Sequence, residues 1–209
     1  MRWSVAAGVV AAVVVAGGAA YLVRGLAPSQ EALAEGKAFT TAHNLMMRDM
    51  GGSLSGNADV DFARLMIPHH QGALDMADVE INYGKDQTVL ALARRMSAAQ
   101  QPEIDRLTAW QKAHSAPASI ATNAATAAYG AASDKMMNGM MGDSMAHSGN
   151  ADRDFVKIMI PHHQGAIDVA NVELKYGSDP DLKALAQTVV TAQQAEIDEM
   201  TTWLTANGD

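Results

Sequence analysis

Apolar positions recur along most of this chain with the 3.6-residue period of an amphipathic helix, and no segment alternates with the period of two that is typical of strands. A helical wheel through residues 62–80 gathers apolar residues and two adjacent histidines within about 60° of one face, while Asp75 lies opposite. That face consists of Phe62, Met66, His69, His70, Ala73, Ala77 and Glu80. The pattern predicts an all-α body.

The helical pattern occurs twice. Of the 53 positions from 58 to 110, 30 are identical to the residue found 93 positions later. The strongest match aligns MIPHHQGALDMADVEINY with MIPHHQGAIDVANVELKY, which places His162, His163 and Met159 on the same face as their counterparts. This identity indicates an internal duplication, and two such copies are expected to pack together.

Each copy carries similar helix-ending residues. An Asn begins the His-containing helix, a Gly ends it, and an Asp opens the next helix, once followed by a Pro suited to the first turn. These residues are Asn57, Gly84 and Asp86 in the first copy and Asn150, Gly177, Asp179 and Pro180 in the second. A Met-rich segment precedes each copy, at about residues 30–50 and 120–145, so the sequence predicts three helices in each unit.

The N-terminal segment predicts a membrane association. Arg2 precedes Val5–Val23, an uncharged run long enough to cross most of a hydrocarbon layer of about 30 Å. We favour an uncleaved signal anchor over a cleaved signal peptide, because apolar residues continue beyond the small residues of the run. The expected divisions are therefore 1–28, a first unit at 29–114, and a linker with the second unit at 115–209. The Ala/Ser/Thr-rich stretch Ser115–Ser133 is the predicted linker.

Composition narrows the function. The chain has no Cys, which excludes disulfides, thiolate metal sites and thiol catalysis. The net charge is −8, and because residues 1–28 hold two arginines and no acid, the body after residue 28 carries −10, which makes nucleic acid a poor partner and cations a good one. Motifs of di-iron bundles, zinc proteases, nucleotide-binding loops and serine hydrolases are absent from the sequence.

The two His pairs are the main chemical signal. Imidazole binds Cu, Zn, Ni and Fe, and neighbouring residues of a helix point about 100° apart, so an ion is expected to take one His from a pair and a second ligand from another helix. The alternative is that the histidines form hydrogen bonds within a core. Pro68 and Pro161 precede the pairs and are expected either to kink each helix or to begin a new one.

Methionine is the second signal, since 14 Met is a high count for 209 residues. Thioether sulfur favours Cu(I) and, by the same logic, Ag(I), although Met also fills helix cores well. One stripe comprises His43, Met46, Met47 and Met50. A second cluster, flanked by glycines and expected to form a flexible metal-binding loop or a core, comprises Met136, Met137, Met140, Met141 and Met145, with His147 just after. Glu103 and Glu196 are expected to be either carboxylates of the site or solvated surface.

The MIPHHQGA motif and the later QQ-x-EI-D…W pattern resemble the domain-of-unknown-function 305 family in both copies. The resemblance implies a ferritin-like helical bundle, an extracytoplasmic location and, as in some members, copper binding. It implies that His69, His70, His162 and His163 are ligands, with Met66 and Met159 before them. The later EI-x-x-M of the family is kept as Met200, whereas Leu107 replaces it in the first unit.

Together these features predict an N-terminal transmembrane or signal helix followed by two fused ferritin-like units of the four-helix-bundle type. The expected function is extracytoplasmic sequestration, tolerance or transfer of Cu(I) and Cu(II), with silver as a surrogate ion and without catalysis. A copper-transfer protein is a candidate partner. A copper-dependent oxidoreductase and a metal-free structural protein of the envelope are the alternatives. Whether the two His pairs form one site or two is left open.

Overall fold

The body of the chain consists of helices. The computed structural model describes residues 10–16, 19–25, 28–114, 123–141 and 147–208. Its helices are α1 (Gln30–Met50), α2 (Ala58–Tyr83), α3 (Gln87–Ala113), α4 (Ala124–Gly139), α5 (Ala151–Tyr176) and α6 (Pro180–Ala206). The prediction of an all-α body with three helices in each unit is confirmed.

The N-terminal run differs from the predicted helix. Its backbone forms two antiparallel strands, β1 (Val10–Ala16) and β2 (Ala19–Gly25), with Val10 opposite Gly25 and Ala16 opposite Ala19. Four of the seven residues of β1 are valine, a β-branched residue that fits strands well. None of the helices within the described ranges is both long and apolar enough to cross a membrane. The membrane anchor therefore stays a prediction.

The helices begin and end where the sequence predicts. Asn57 and Asn150 accept hydrogen bonds from the backbone N–H three residues later, and Asp86 and Asp179 cap α3 and α6 in the same manner. Such caps satisfy amide groups that have no partner inside the helix. Both His-containing helices continue through their internal prolines, so a new helix does not begin there.

Two hydrogen-bonded crossovers tie the units together. The Asp152 carboxylate, in the first turn of α5, accepts hydrogen bonds of 2.9 and 2.8 Å from the backbone amides of Lys85 and Asp86. The Asp59 carboxylate, in the first turn of α2, likewise accepts hydrogen bonds from the backbone amides of Ser178 and Asp179. The start of each His-containing helix therefore lies beside the end of the other, which makes α2 and α5 antiparallel.

One core spans both units. Its buried residues come from all six helices, and α2 contacts α1, α3 and α5 while α5 contacts α4, α6 and α2. The large buried side chains include Phe39, Phe62, Tyr129, Phe155 and Leu182. The arrangement differs from two separate four-helix units, because each copy supplies three helices and the His-containing helix of the other copy packs against them.

The predicted linker is partly wrong. Residues 124–133 of the Ser115–Ser133 stretch belong to α4, and residues 115–122 lie outside the described part of the chain. The physical reason is that alanine is the best helix former, and Asn123 supplies an N-cap by accepting a hydrogen bond from the Thr126 amide.

Candidate metal centre

The antiparallel pairing of α2 and α5 brings the two His pairs together. Each helix has 26 residues, and each His pair occupies the middle of its helix. When two equal helices pack antiparallel, only residues near their midpoints meet their own counterparts. The duplication therefore produces one cluster of four imidazoles at the interface between the units.

His69 and His162 form the centre of this cluster. Their ring centroids lie 3.6 Å apart with the planes tilted by 33°, and the two residues are 1% and 0% exposed. Both nitrogens of each ring lack a hydrogen-bond partner among the described residues. Burial lowers the pKa of both rings well below the usual value, and the neighbouring imidazoles add to this effect. Both rings are therefore neutral at physiological pH, as a metal ligand must be.

His70 and His163 are each held by a carboxylate from the next helix. His70 Nε2 lies 2.8 Å from Glu103 Oε2, and His163 Nε2 lies 2.8 Å from Glu196 Oε2. A carboxylate only accepts, so each Nε2 carries the proton and donates it. In the neutral form of each ring, Nδ1 would present a lone pair, and both Nδ1 atoms are buried without a partner in the described part of the chain. This is the tautomer that a carboxylate imposes on a metal-binding histidine.

The carboxylates were the part of this site that the sequence left open. Glu103 and Glu196 lie in the repeated AQQ-x-EI-D pattern, and this repetition is the signal that favours a role in the site over solvated surface. Gln100 and Gln193, three residues earlier on the same helix faces, are buried with unpaired side-chain amides. A helical wheel of α2 or α5 alone could not identify these residues, because they lie on α3 and α6.

Sulfur lies beside the imidazoles. Met66 and Met159 are 1% and 0% exposed, and Met136 from α4 shares with Met66 and His69 the lining of a void too small for a water molecule. Met136 also packs on Gly165 of α5, where a Cβ would overlap its side chain. Buried thioethers thus reach the edge of the imidazole cluster from two helices.

The α1 stripe is largely buried. His43, Met46 and Met50 are buried and Met47 is half-buried. Met46 packs on Gly72 of α2 just as Met136 packs on Gly165. Burial lowers the pKa of His43, and its Nδ1 has no partner among the described residues. The stripe therefore fills the core of the first unit beside α2.

The second Met cluster does not form a single loop site. Met136 lies in α4 and Met140 at its end, both almost fully buried, whereas Met137 and Met141 are exposed. The flexible-loop interpretation is therefore wrong for Met136 and Met140, because both side chains pack into the core. Met145 lies outside the described residues. His147 contacts α1 instead, where its ring lies against Phe39 with centroids 6.3 Å apart. Met200 is fully buried in α6.

Comparisons with known proteins agree with this architecture. The family model described as "Domain of unknown function (DUF305)" matches residues 59–204. The Cu(I)-bound form of a protein named CopM is similar to 72% of this chain and 98% of its own, with 28% identity and a TM-score of 0.56. The silver-bound form gives the same values, and CopM is also known in a Cu(II)-bound form. A DUF305 fragment from Deinococcus radiodurans is similar over 71% of this chain and 96% of its own, with 26% identity and a TM-score of 0.56. Among curated proteins, none matches this chain.

Proposed function

The chain belongs to the DUF305 family, and we propose that it binds copper in the buried imidazole cluster between α2 and α5. One observation carries the proposal. Six ring nitrogens of four adjacent histidines are buried without a hydrogen-bond partner in the described part of the chain. Each such group costs about 1–3 kcal/mol relative to its hydrated state. A fold that retains six of them in one place is better explained by ligands than by packing.

The donor set favours copper over other imidazole-binding metals. Neutral imidazoles suit both copper oxidation states, and the thioethers of Met66 and Met136 beside His69 add a preference for Cu(I) and Ag(I). CopM, which is similar over most of the body, is known with Cu(I), Cu(II) and silver bound. The chemistry of the site and this likeness support the same metal.

We expect the protein to hold copper rather than to turn over a substrate. The four imidazoles are enclosed, and the members of the site that reach its edge are Glu103 and Glu196, whose side chains are 15% and 13% exposed. An ion would enter past these carboxylates and lose contact with bulk water. The proposed role is sequestration or transfer of copper outside the cytoplasm, with the chain tethered by its N-terminal segment. Fractionation of native cells tests the location.

The binding proposal is tested by competition with a Cu(I) chelator, using the full chain and the double variant His69→Ala/His162→Ala. We expect the parent to retain Cu(I) against the chelator and the double variant to lose most of it. His114→Ala is the matched control, since His114 is an exposed histidine at the end of α3. An unchanged Cu(I) stoichiometry in a folded double variant would assign the imidazoles to packing. Oxygen consumption beyond one equivalent per bound copper would show turnover.

A further inference from the structure

A second group of ligands lies where α1 meets the start of α5. It consists of Glu35, His147 and Asp154, whose donor atoms all lie within 4.8 Å of one another. Asp154 precedes His162 by eight residues, or about 12 Å along α5. The group is therefore separate from the imidazole cluster and contains no sulfur.

The two carboxylates are buried, and one of them is incompletely paired. Glu35 is 2% exposed, and its Oε1 has no hydrogen-bond partner among the residues described. Asp154 is 1% exposed and is held in place by Ser148, whose amide and hydroxyl groups donate to it at 2.9 and 2.6 Å. A buried carboxylate with a free oxygen, beside a fixed carboxylate, is a strong attractor for a cation.

Hydrogen bonds fix the tautomer of His147. The Thr40 hydroxyl donates its only hydrogen to the Gly36 carbonyl at 2.9 Å. Thr40 Oγ1 must therefore accept the hydrogen bond of 2.9 Å that joins it to His147 Nε2. The proton of the neutral ring is then on Nε2, so the lone pair of Nδ1 faces Asp154 Oδ2 at 3.8 Å. A lone pair that faces two carboxylates is unfavourable, and either a cation between them or a proton on Nδ1 would relieve it.

The backbone of α1 makes room for the imidazole. A Cβ at Gly36 would lie 3.0 Å from His147 Cγ, which is closer than nearly all real contacts of that kind. A surface cleft is lined by Gly36, Thr40 and His147, so one member of the group borders solvent there. The imidazole therefore packs against a glycine and is oriented by the Thr40 hydroxyl.

The duplication shows that helix capping does not require this group. Asp61 is the counterpart of Asp154 and holds its own loop by accepting hydrogen bonds from the amides of Ser55 and Gly56. The sequence shift of 93 places Leu54 at the position of His147. The shift of 90 that relates Met46 to Met136 places Ala125 at the position of Glu35. The loop before α2 is therefore built in the same way with Leu54 in place of the histidine and Ala125 in place of the glutamate.

We propose that Glu35, His147 and Asp154 form a site for a divalent transition-metal cation such as Zn²⁺, distinct from the copper site. One nitrogen and several carboxylate oxygens suit borderline divalent ions and lack the soft donors that Cu(I) prefers. A zinc ion bonded at about 2.0–2.2 Å holds its ligand atoms about 3.3 Å apart in tetrahedral geometry, so small side-chain rotations would close the present spacing. The ion would join α1 of the first unit to α5 of the second.

The test is calorimetric titration of the metal-free full chain with Zn²⁺. We expect Glu35→Gln and His147→Gln each to lose one equivalent of bound zinc while retaining Cu(I) against a chelator. Two controls should bind zinc as the parent does. They are Glu31→Gln, which changes an exposed residue of α1, and His114→Gln, which changes the exposed histidine at the end of α3. The copper variant His69→Ala/His162→Ala should keep this equivalent. These variants distinguish a failure of the zinc proposal from a failure of the copper proposal.

A measurement on the unmodified chain covers the case in which a variant fails to fold. Zinc should shift the imidazole resonances of His147 in a nitrogen-correlated spectrum at one equivalent, because the ion binds Nδ1 directly. An unshifted His147 spectrum, or the same zinc stoichiometry in folded Glu35→Gln and His147→Gln variants as in the parent, would overturn the proposal. In that case the contact of 3.8 Å between His147 and Asp154 serves only to hold the loop on α5.

Discussion

The unpaired imidazoles of the central cluster should make the metal-free protein less stable than it could be. His69 and His162 together place four ring nitrogens in the core without hydrogen-bond partners among the described residues. At about 1–3 kcal/mol for each unsatisfied buried group, the gross cost is about 4–12 kcal/mol. Replacing both residues with leucine removes these groups, while imperfect repacking of a dense core costs about 1–3 kcal/mol. We expect a net gain in the free energy of unfolding of at least about 1 kcal/mol, which is the smallest gross cost less the largest repacking cost.

The assay is unfolding of His69→Leu/His162→Leu in the presence of a chelator. For a chain of this length, 1 kcal/mol corresponds to about 2–4 °C, so the midpoint should rise by at least about 2 °C. The matched control is His70→Leu/His163→Leu, because these rings donate to Glu103 and Glu196. Removing them leaves two partly buried carboxylates unpaired, and the control should be less stable than the parent.

The two results together decide whether the central rings are ligands or packing groups. If the His69→Leu/His162→Leu variant is folded but more than about 1 kcal/mol less stable than the parent, the imidazoles make stabilising contacts and the ligand argument fails. If it is more stable and no longer retains Cu(I), the fold bears a cost in stability at a site of function.

Three further outcomes follow from the structure. Gly165→Ala should destabilise the protein by about 1–3 kcal/mol in urea, because the new methyl group overlaps Met136, whereas Gly130→Ala, with open space around it, should not. Burial and the nearby Asp152 raise the pKa of Glu80 to about 9. The folded state therefore keeps a proton on Glu80 that the unfolded state releases above about pH 4.5. Because of this difference, the free energy of unfolding should fall as pH rises from about 5 to 9. Glu80→Gln should flatten that fall in urea midpoints, and parallel profiles would refute the assignment. Replacing the five methionines of the second cluster with leucine should weaken Cu(I) retention at about pH 5, because thioether sulfur takes up no proton there, and should leave Cu(II) binding at about pH 7.5 intact. Equal Cu(I) retention would make them packing residues.

The sequence predicted most of the helices because their ends depend on local chemistry. Asn57, Asn150, Asp86 and Asp179 cap helices through contacts within three residues, so a single sequence contains the necessary information. The buried face of α2 was likewise readable from its period. The Ala-rich start of α4 has the composition of a linker, but alanine favours helix and Asn123 caps it, so the linker prediction is wrong for residues 124–133.

Contacts between distant parts of the chain could not be predicted from the sequence alone. The pairing of His70 with Glu103 joins residues 33 positions apart on different helices, and the contact of His69 with His162 depends on the direction in which α2 meets α5. Asp59 and Asp152 set that direction through crossovers to the other unit, but in the sequence they resemble ordinary acidic residues of a first helical turn. In the sequence, His147 directly follows a group of methionines, whereas its partners in the structure are Thr40 of α1 and Asp154 of α5.

The duplication explains why the two sites have different chemistry. A pair of equal antiparallel helices brings identical residues together only at their midpoints, so His69 and His162 meet each other and a repeated motif yields a symmetric cluster of like ligands. Away from the midpoint, each residue of one unit meets a different residue of the other. A site there needs its own substitutions, because the other copy has Ala125 at the position of Glu35 and Leu54 at the position of His147. The repeated motif therefore produces the imidazole cluster, and sequence differences between the copies produce the carboxylate-rich group of Glu35, His147 and Asp154.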